Sequence, residues 1–304
     1  MAITAKLVKE LREMTGAGMM DCKKALVETD GVIEEAVDIL REKGLAKAAK
    51  KSGRIAAEGI SVFAISEDGK TGATLELNSE TDFVAKNEDF KGFANTVAEM
   101  IVKNNFADIE AVKAAKYNNE QTVAEALSTL ISKIGENMSL RRFEKVTLDQ
   151  GLVIGYLHGE GKIAVLVGLE SQAAQDQLAV LGKDLAMQVA AMNPKYIRDA
   201  DVDQEYIAHE KEVLMQQALN EGKPAKIVEK MVTGRLKKEL KEICLVDQAF
   251  VKDSDLSVEQ LIKNTAKTVG AEINIKAVSR LAVGEGLEKK EENFAAEVAA
   301  QMKK

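Results

Sequence analysis

One order of predicted elements occurs twice along the chain, and this repeat constrains the fold more than any other sequence feature. Residues 60–77 contain two apolar, β-branched stretches around a polar turn, and residues 151–169 repeat that pattern. In each copy a helical stretch follows, and a strand closes the unit at residues 137–146 or 272–280. The sequence therefore predicts a divergent internal duplication, with two β-β-α-β units of antiparallel hairpins and helices on one face. Such a core belongs to the α+β class.

The remaining segments read as helices that flank or interrupt this core. Three short helical stretches precede it, and Gly44 predicts the end of the third. A long helical hairpin is inserted before the last strand, and the tail carries one apolar stripe. The predicted organisation is a three-helix module with a basic linker (1–54), a first core subdomain (55–147), a second core subdomain (148–198 and 244–283), an inserted hairpin arm (199–243) and a C-terminal helix (284–304).

Composition excludes several classes of function. The chain has two histidines and two cysteines, so a histidine base, a zinc cluster and a disulfide framework are all disfavoured. Its net charge of −7 argues against direct nucleic-acid binding, which requires clustered cations. No apolar run reaches the ~18 residues of a membrane span, and the start reads as an amphipathic helix. We expect a cytoplasmic protein with no membrane contact.

Motifs for catalysis fail on their spacing. Gly69-Lys70-Thr71 resembles the end of a phosphate-binding loop, but Ala64 stands where the first glycine is required. The turn Thr15-Gly16-Ala17-Gly18 precedes a helix yet follows no strand. Asp199 and Asp201 lie at a predicted helix start, where carboxylates favour the helix dipole. The residues predict no metal site, no nucleophile and no cofactor.

Two segments are candidates for protein contact. In the loop 78–87, Phe83 and Val84 stand among polar residues and either fill the protein's own core or project towards a partner. The residues alone favour the first alternative, although a buried Asp82 would then need its own partner. Met19 and Met20 are adjacent, so both cannot face one core, and methionine adapts well to contact surfaces.

A basic stretch at residues 41–54 leaves two alternatives open. It holds six cations against Glu42. A solvated linker is the ordinary interpretation of such a run, and an electrostatic contact with an acidic partner surface is the other.

Several motifs resemble one known family, the bacterial translation elongation factors Ts, over the whole chain. The motifs are Thr15-Gly16-Ala17-Gly18-Met19-Met20-Asp21-Cys22-Lys23-Lys24-Ala25, Glu80-Thr81-Asp82-Phe83-Val84-Ala85-Lys86-Asn87, Ile134-Gly135-Glu136-Asn137, Val283-Gly284-Glu285-Gly286 and the stretch from Phe294 to Ala299. The resemblance implies a guanine-nucleotide exchange factor that binds the GTPase elongation factor Tu and releases GDP without covalent chemistry. It also implies a helical module like a ubiquitin-associated domain and a coiled-coil arm.

The resemblance further implies which residues contact the GTPase. Thr81, Asp82, Phe83 and Val84 form the exchange loop, with Asp82 and Phe83 reaching the partner's magnesium and phosphate site. The other implied contacts are Arg12, Met19, Met20 and Lys51 of the helical module, His158 of the second core subdomain and Phe294 of the tail.

The use of the arm and the function of the chain each leave alternatives open. The resemblance associates the arm with a dimer or a heterotetramer. A coiled-coil adaptor or chaperone-like interaction protein is the main alternative function. A hydrolase with a dispersed site and an RNA-binding factor using residues 41–54 are weaker alternatives.

Overall fold

The α+β class predicted from the sequence is confirmed by this computed structural model, which describes residues 3–15, 17–222 and 224–288. The α-helices are α1 Ala5–Thr15, α2 Met19–Glu28, α3 Ile33–Lys51, α4 Asp82–Ala85, α5 Glu88–Lys103, α6 Ile109–Ala114, α7 Val123–Ile134, α8 Gln175–Met192, α9 Gln204–Asn220, α10 Ala225–Ile243 and α11 Val258–Val269. The strands are β1 Glu58–Ile65, β2 Thr71–Ser79, β3 Met138–Thr147, β4 Leu152–His158, β5 Ile163–Ser171, β6 Ala249–Phe250, β7 Asp253–Ser257 and β8 Ile273–Ala282.

The duplication is visible in two three-stranded sheets, ordered β1-β2-β3 and β4-β5-β8. Strands β4 and β5 pair antiparallel, with Leu152 opposite Leu169 and His158 opposite Ile163. Each copy also contains a second helix before its closing strand, α7 in the first and α11 in the second. Both helices begin with a capping box and end on a glycine with positive φ, Gly135 or Gly270.

The chain divides into two compact units. The first comprises Met1–Val62, Leu75–Phe143 and Ala282–Lys304, and the second comprises Phe63–Thr74 and Glu144–Leu281. In the second unit, β5 lies at the centre of its sheet and buries side chains on both faces. Val165, Val167 and Leu169 pack with apolar residues of α8, while Leu166 on the other face packs with Val153.

In the first unit, the N-terminal helices enclose their own core. Leu11, Cys22 and Leu26 are fully buried there, and the Thr4 hydroxyl accepts a hydrogen bond from the Leu7 N–H at the start of α1. The predicted end of the third helix at Gly44 is wrong, because α3 continues to Lys51. The residues after Gly44 are mostly Ala and Lys, which are strong helix formers, and α3 packs on α7.

The predicted helical arm is observed as α9 and α10, which pack on each other. Ala218, Val228 and Val232 form the apolar seam with Leu214, and the Tyr206 hydroxyl donates a hydrogen bond to Glu239 at 2.8 Å. The predicted C-terminal helix lies outside the described residues. Within the described ranges, each helix is too short or too polar to cross a membrane.

Candidate functional site

The loop that follows β2 carries the candidate exchange residues. It contains the single helical turn α4, and it ends at Asn87, whose side chain caps α5 by accepting hydrogen bonds from the Asp89 and Phe90 N–H groups at 2.9 and 3.2 Å. Asn87 is therefore the kind of residue that starts a helix well. The loop is fixed at this end by the start of a long helix.

Phe83 and Val84 have opposite environments. The Phe83 side chain is 79% exposed, whereas Val84 is 6% exposed and Ala85 is also buried. The alternative in which Phe83 fills the protein's own core is therefore wrong, and Val84 has that role. Successive residues of a helix point about 100° apart, so a single turn can bury one and expose its neighbour. Asp82 is exposed beside Phe83.

Thr81, at the N-cap of α4, is held by a carboxylate from another part of the first unit. Its N–H donates to Glu136 Oε2 at 3.0 Å and its hydroxyl to Glu136 Oε1 at 2.6 Å. Glu136 directly follows the glycine that ends α7. Hydrogen bonds to an ionised carboxylate are stronger than neutral ones, so this contact anchors the start of the turn.

Glu80 makes the converse contact. Its Oε1 accepts a hydrogen bond from the Asn137 N–H at 2.5 Å and forms an ion pair with Arg54 Nη1 at 3.3 Å. The Asn137 amide in turn donates to the Arg54 carbonyl at 2.7 Å. The loop and the segment 136–137 thus bind each other's main chains through their carboxylates.

The base of the loop rests on a buried carboxylate, Glu76. The Asn78 amide donates to Glu76 Oε1 at 3.1 Å, and Arg141, Arg142 and the Gly284 N–H also donate to this carboxylate. Burial raises the pKa of Glu76, but these hydrogen bonds together outweigh it and hold the pKa below its ordinary value. Glu76 is therefore ionised at neutral pH.

The helical-module candidates lie on the surface of the first unit. Met19 and Met20, in the first turn of α2, are 54% and 63% exposed, and Arg12 is exposed in the last turn of α1. Lys51 is partly buried at the end of α3. Met14, which no sequence signal singles out, is as exposed as Met20.

The other two candidates are His158 and Phe294. His158 is exposed at the end of β4 in the second unit, with its Nδ1 3.1 Å from the Tyr156 hydroxyl oxygen. Phe294 lies outside the described residues.

One group with metal-ligand chemistry occurs among the described residues. Ligand atoms of Asp199, Cys244 and Asp247 lie within 4.8 Å of one another. Burial, followed by a hydrogen bond with Asp199, raises the pKa of the Cys244 thiol to about 12. The thiol is therefore protonated at neutral pH, and the carboxylates beside it oppose its ionisation. No sequence signal indicates the group, because its three residues meet only through the fold.

The residues that support the loop have no role predicted from the sequence. Glu136 and Asn137 belong to one of the family motifs, but their contacts with the loop are evident only in the structure. The sequence signal for these contacts is two carboxylates, Glu80 and Glu136, in irregular segments whose main-chain N–H groups need hydrogen-bond acceptors. Each carboxylate binds a segment that lies more than fifty residues away along the chain, so the local sequence does not indicate the contact.

An exposed aromatic side chain on a firmly anchored loop is typical of proteins that act by binding another protein, because aromatic residues supply much of the energy of interfaces. The exposed Phe83 on this loop is a feature of that class. Comparison with known proteins gives the family. The family model described as "Elongation factor TS" matches residues 80–285.

Full-length relatives agree with that match. The chain is 58% identical over 301 residues to an elongation factor Ts of Clostridioides difficile (strain 630), with 99% of each chain covered. It is 57% identical to that of Clostridium novyi (strain NT), again over 99% of each chain, and 51% identical to that of Clostridium acetobutylicum over 99% of this chain and 98% of the relative. The chain therefore belongs to the elongation factor Ts family, and so to the elongation factors of protein biosynthesis.

Proposed function

We propose that this protein is a guanine-nucleotide exchange factor that binds the GDP form of elongation factor Tu and promotes GDP release, so that GTP can bind. The observation that carries the proposal is the 79% exposure of Phe83 beside Asp82 on an anchored loop, in a chain of this family. The action requires protein binding only, with no covalent chemistry and no cofactor of its own.

Phe83 supplies the binding energy at the proposed contact. Its exposed ring gains roughly 2–3 kcal/mol when it is transferred from water to an apolar pocket of a partner. Because the loop is anchored on both sides of Phe83, little of that energy is lost in ordering the loop on binding. One side chain can therefore displace partner residues that would otherwise pack beside the nucleotide.

Asp82 supplies the electrostatic part of the mechanism. GDP is held in a GTPase largely through its phosphates and Mg²⁺, which is coordinated by oxygen ligands. A carboxylate brought beside this site disturbs the groups that surround the Mg²⁺ ion and repels the phosphates. The expected result is weaker binding of both Mg²⁺ and GDP.

Exchange then follows from thermodynamic linkage. If the protein lowers the affinity of the GTPase for GDP by some factor, GDP lowers the affinity of the GTPase for the protein by the same factor. A hundredfold effect corresponds to about 2.7 kcal/mol, which the burial of one aromatic side chain can provide. GTP, present in excess, then rebinds and displaces the exchange factor.

Further contacts extend the proposed interface. Arg12, Met19 and Met20 provide a cation and two adaptable apolar side chains. Lys51 is proposed as a further contact of the helical module. His158 and Phe294 are proposed to contact the same partner elsewhere. We propose no nucleic-acid or membrane contact, a cytoplasmic site of action, and use of the arm for a dimer or a heterotetramer.

The test is the release of a fluorescent GDP analogue from elongation factor Tu. Wild type, Asp82→Ala and Phe83→Ala are compared, with Val180→Ala as the matched control because Val180 is 72% exposed outside the proposed interface. Circular dichroism establishes that each variant is folded. We expect wild type and Val180→Ala to accelerate release equally and the two loop variants to lose at least tenfold, which corresponds to ~1.4 kcal/mol.

Two results would count against the proposal. If wild type leaves the release rate unchanged at micromolar concentration, the adaptor or chaperone-like function replaces exchange. If the loop variants remain as active as wild type, exchange proceeds through another surface.

A further inference from the structure

The contacts of Thr81 and Glu80 form a reciprocal clasp. The Glu136 carboxylate accepts both the N–H and the hydroxyl of Thr81, at 3.0 and 2.6 Å. The Glu80 carboxylate accepts the N–H of Asn137 at 2.5 Å. Adjacent residues on each side thus supply one carboxylate and one main-chain donor, and the two segments are joined in both directions.

The clasp holds the single helical turn α4, which is too short to be stable alone. The turn α4 has four residues, which is far below the length at which a helix is stable alone. Two hydrogen bonds close its end, from the Lys86 N–H to the Phe83 carbonyl at 3.2 Å and from the Asn87 N–H to the Val84 carbonyl at 2.9 Å. Its orientation must therefore come from its attachments.

The attachment at the start of α4 is Glu136. In many helices the N-cap hydroxyl accepts a hydrogen bond from a main-chain N–H of the first turn. The Thr81 hydroxyl makes no such cap here and donates to Glu136 instead. The N-cap residue of the turn is thus tied to the segment after α7, two residues before Phe83.

We propose that Glu136 is a positioning residue: it holds Thr81, and through Thr81 it orients α4 so that Phe83 and Asp82 face the partner while Val84 is buried. This proposal rests on the proposed exchange function for its effect on activity. Its physical basis is preorganisation, since a loop that is ordered before binding loses less entropy in the complex.

The same chain offers a matched control for this chemistry. Glu125 Oε2 accepts the N–H of Thr122 at 2.7 Å and its hydroxyl at 3.0 Å, which is the same pair of donors to a glutamate. That contact caps α7 and does not involve the loop. Glu125→Gln therefore makes the same substitution in a threonine–glutamate contact away from Phe83.

The experiment is a double-mutant cycle on GDP release from elongation factor Tu. The proteins are wild type, Glu136→Gln, Phe83→Ala, the double variant and Glu125→Gln. The amide introduced by Glu136→Gln keeps one acceptor oxygen and places its N–H₂ group opposite one of the two Thr81 donors, so the clasp is weakened while side-chain size is kept. We expect Glu136→Gln to lower the second-order rate of release about tenfold, the effect of ordering roughly one further residue on binding.

The cycle separates positioning from a general loss of structure. In the Phe83→Ala background, Glu136→Gln should lower the rate by a smaller factor than in wild type, because one of the two side chains that Glu136 orients is gone. Glu125→Gln should leave the rate unchanged. Equal losses from Glu136→Gln in both backgrounds, or an equal loss from Glu125→Gln, would overturn the proposal.

A second measurement does not depend on exchange activity. Hydrogen exchange of the main-chain amides in residues 79–87 reports the order of the loop in the free protein. We expect Glu136→Gln to speed exchange at Thr81, Lys86 and Asn87 about tenfold, and Glu125→Gln to leave these amides unchanged. Unchanged amide protection in Glu136→Gln refutes the positioning role. If amide exchange is faster in Glu136→Gln but the wild-type protein does not accelerate GDP release from elongation factor Tu, only the proposed function is refuted.

Discussion

The Glu76 carboxylate, whose side chain is fully buried, accepts a hydrogen bond from Arg142 Nε at 2.6 Å. Arg141 donates to the same carboxylate at 2.9 Å, and the Gly284 N–H donates at 2.8 Å. One buried charge thus joins β2, β3 and the segment after β8 within the first unit. A buried ion pair is often no better than apolar packing, but the loss of one member leaves the others unpaired.

We expect Glu76→Gln to lower the free energy of unfolding at pH 7 by about 3 kcal/mol, because it removes the buried carboxylate that both arginines share and leaves Arg142 only its ion pair with Glu285. The arginine side chains are 23% and 34% exposed, which keeps the loss at the lower end of the range for buried pairs. Urea unfolding followed by circular dichroism measures it. Glu99→Gln, which removes an exposed ion pair with Lys103, is the control and should change stability by less than about 0.5 kcal/mol.

The same carboxylate gives a pH dependence. The pKa of Glu76 in the folded protein lies below its ordinary value of 4.5, so the stabilisation is complete above that pH. It is lost as the pH falls through the lower, folded pKa. The difference in stability between wild type and Glu76→Gln should therefore shrink in acid, and a difference independent of pH would show that Glu76 is not ionised in the folded state.

The adjacent residues Phe83 and Val84 should separate binding from stability. Phe83→Ala removes an exposed ring and should change the free energy of unfolding by less than about 0.5 kcal/mol. Val84→Ala removes two buried methyl groups and should lower it by about 1–3 kcal/mol. Thermal unfolding of both variants tests this, and equal losses would show that Phe83 is packed in solution.

Gly59 and Gly151 occupy the same place in the two copies of the repeat. Both have positive φ, of 128° and 116°, and a Cβ on each would lie 2.2 Å from the Leu77 carbonyl oxygen and 1.9 Å from that of Leu169, respectively. We expect alanine at either position to lower stability by about 2 kcal/mol or more, from strain and from the displaced strand. Gly92→Ala, in α5 with open space around it, is the control and should be neutral or stabilising in the same unfolding measurement.

The carboxyl group of Asp247 should destabilise the protein at neutral pH. Burial, then a hydrogen bond with Asp199 and the charges of Asp199 and Glu259, raise the pKa of Asp247 to about 6, while Lys241 opposes the rise. Since the folded pKa lies above the ordinary value of 3.8, stability is greatest below that value and decreases as the pH rises through 6. Asp247→Asn should therefore raise the melting temperature at pH 8.

The effect of that substitution must depend on pH. The amide resembles the protonated acid, so the gain at pH 8 should disappear at about pH 4. Melting curves at the two pH values measure the difference. A loss of stability at pH 8 would mean that the ionised carboxylate of Asp247 is favourably paired.

Much of the first unit was predictable where its signals are local. The end of α3 was the exception, because Gly44 is unfavourable in a helix by about 1 kcal/mol, and packing on α7 together with the Ala-rich and Lys-rich stretch after it outweighs that preference. The helix α11 was missed although Ser257 and Gln260 form a capping box, a signal that is local and could have been found.

Short segments of sequence were enough to establish the α+β class, the two hairpins, the helical arm and the family, because alternation, helical spacing and specific motifs are local properties. The exposure of Phe83 and the burial of Val84 required the folded chain, since a single turn of helix has no periodicity long enough to indicate which side faces the protein. The partners of Glu76 and Glu136 required it too. Most of their donors lie far away in the chain, and a carboxylate can bind distant donors only after the backbone has brought them within hydrogen-bonding distance.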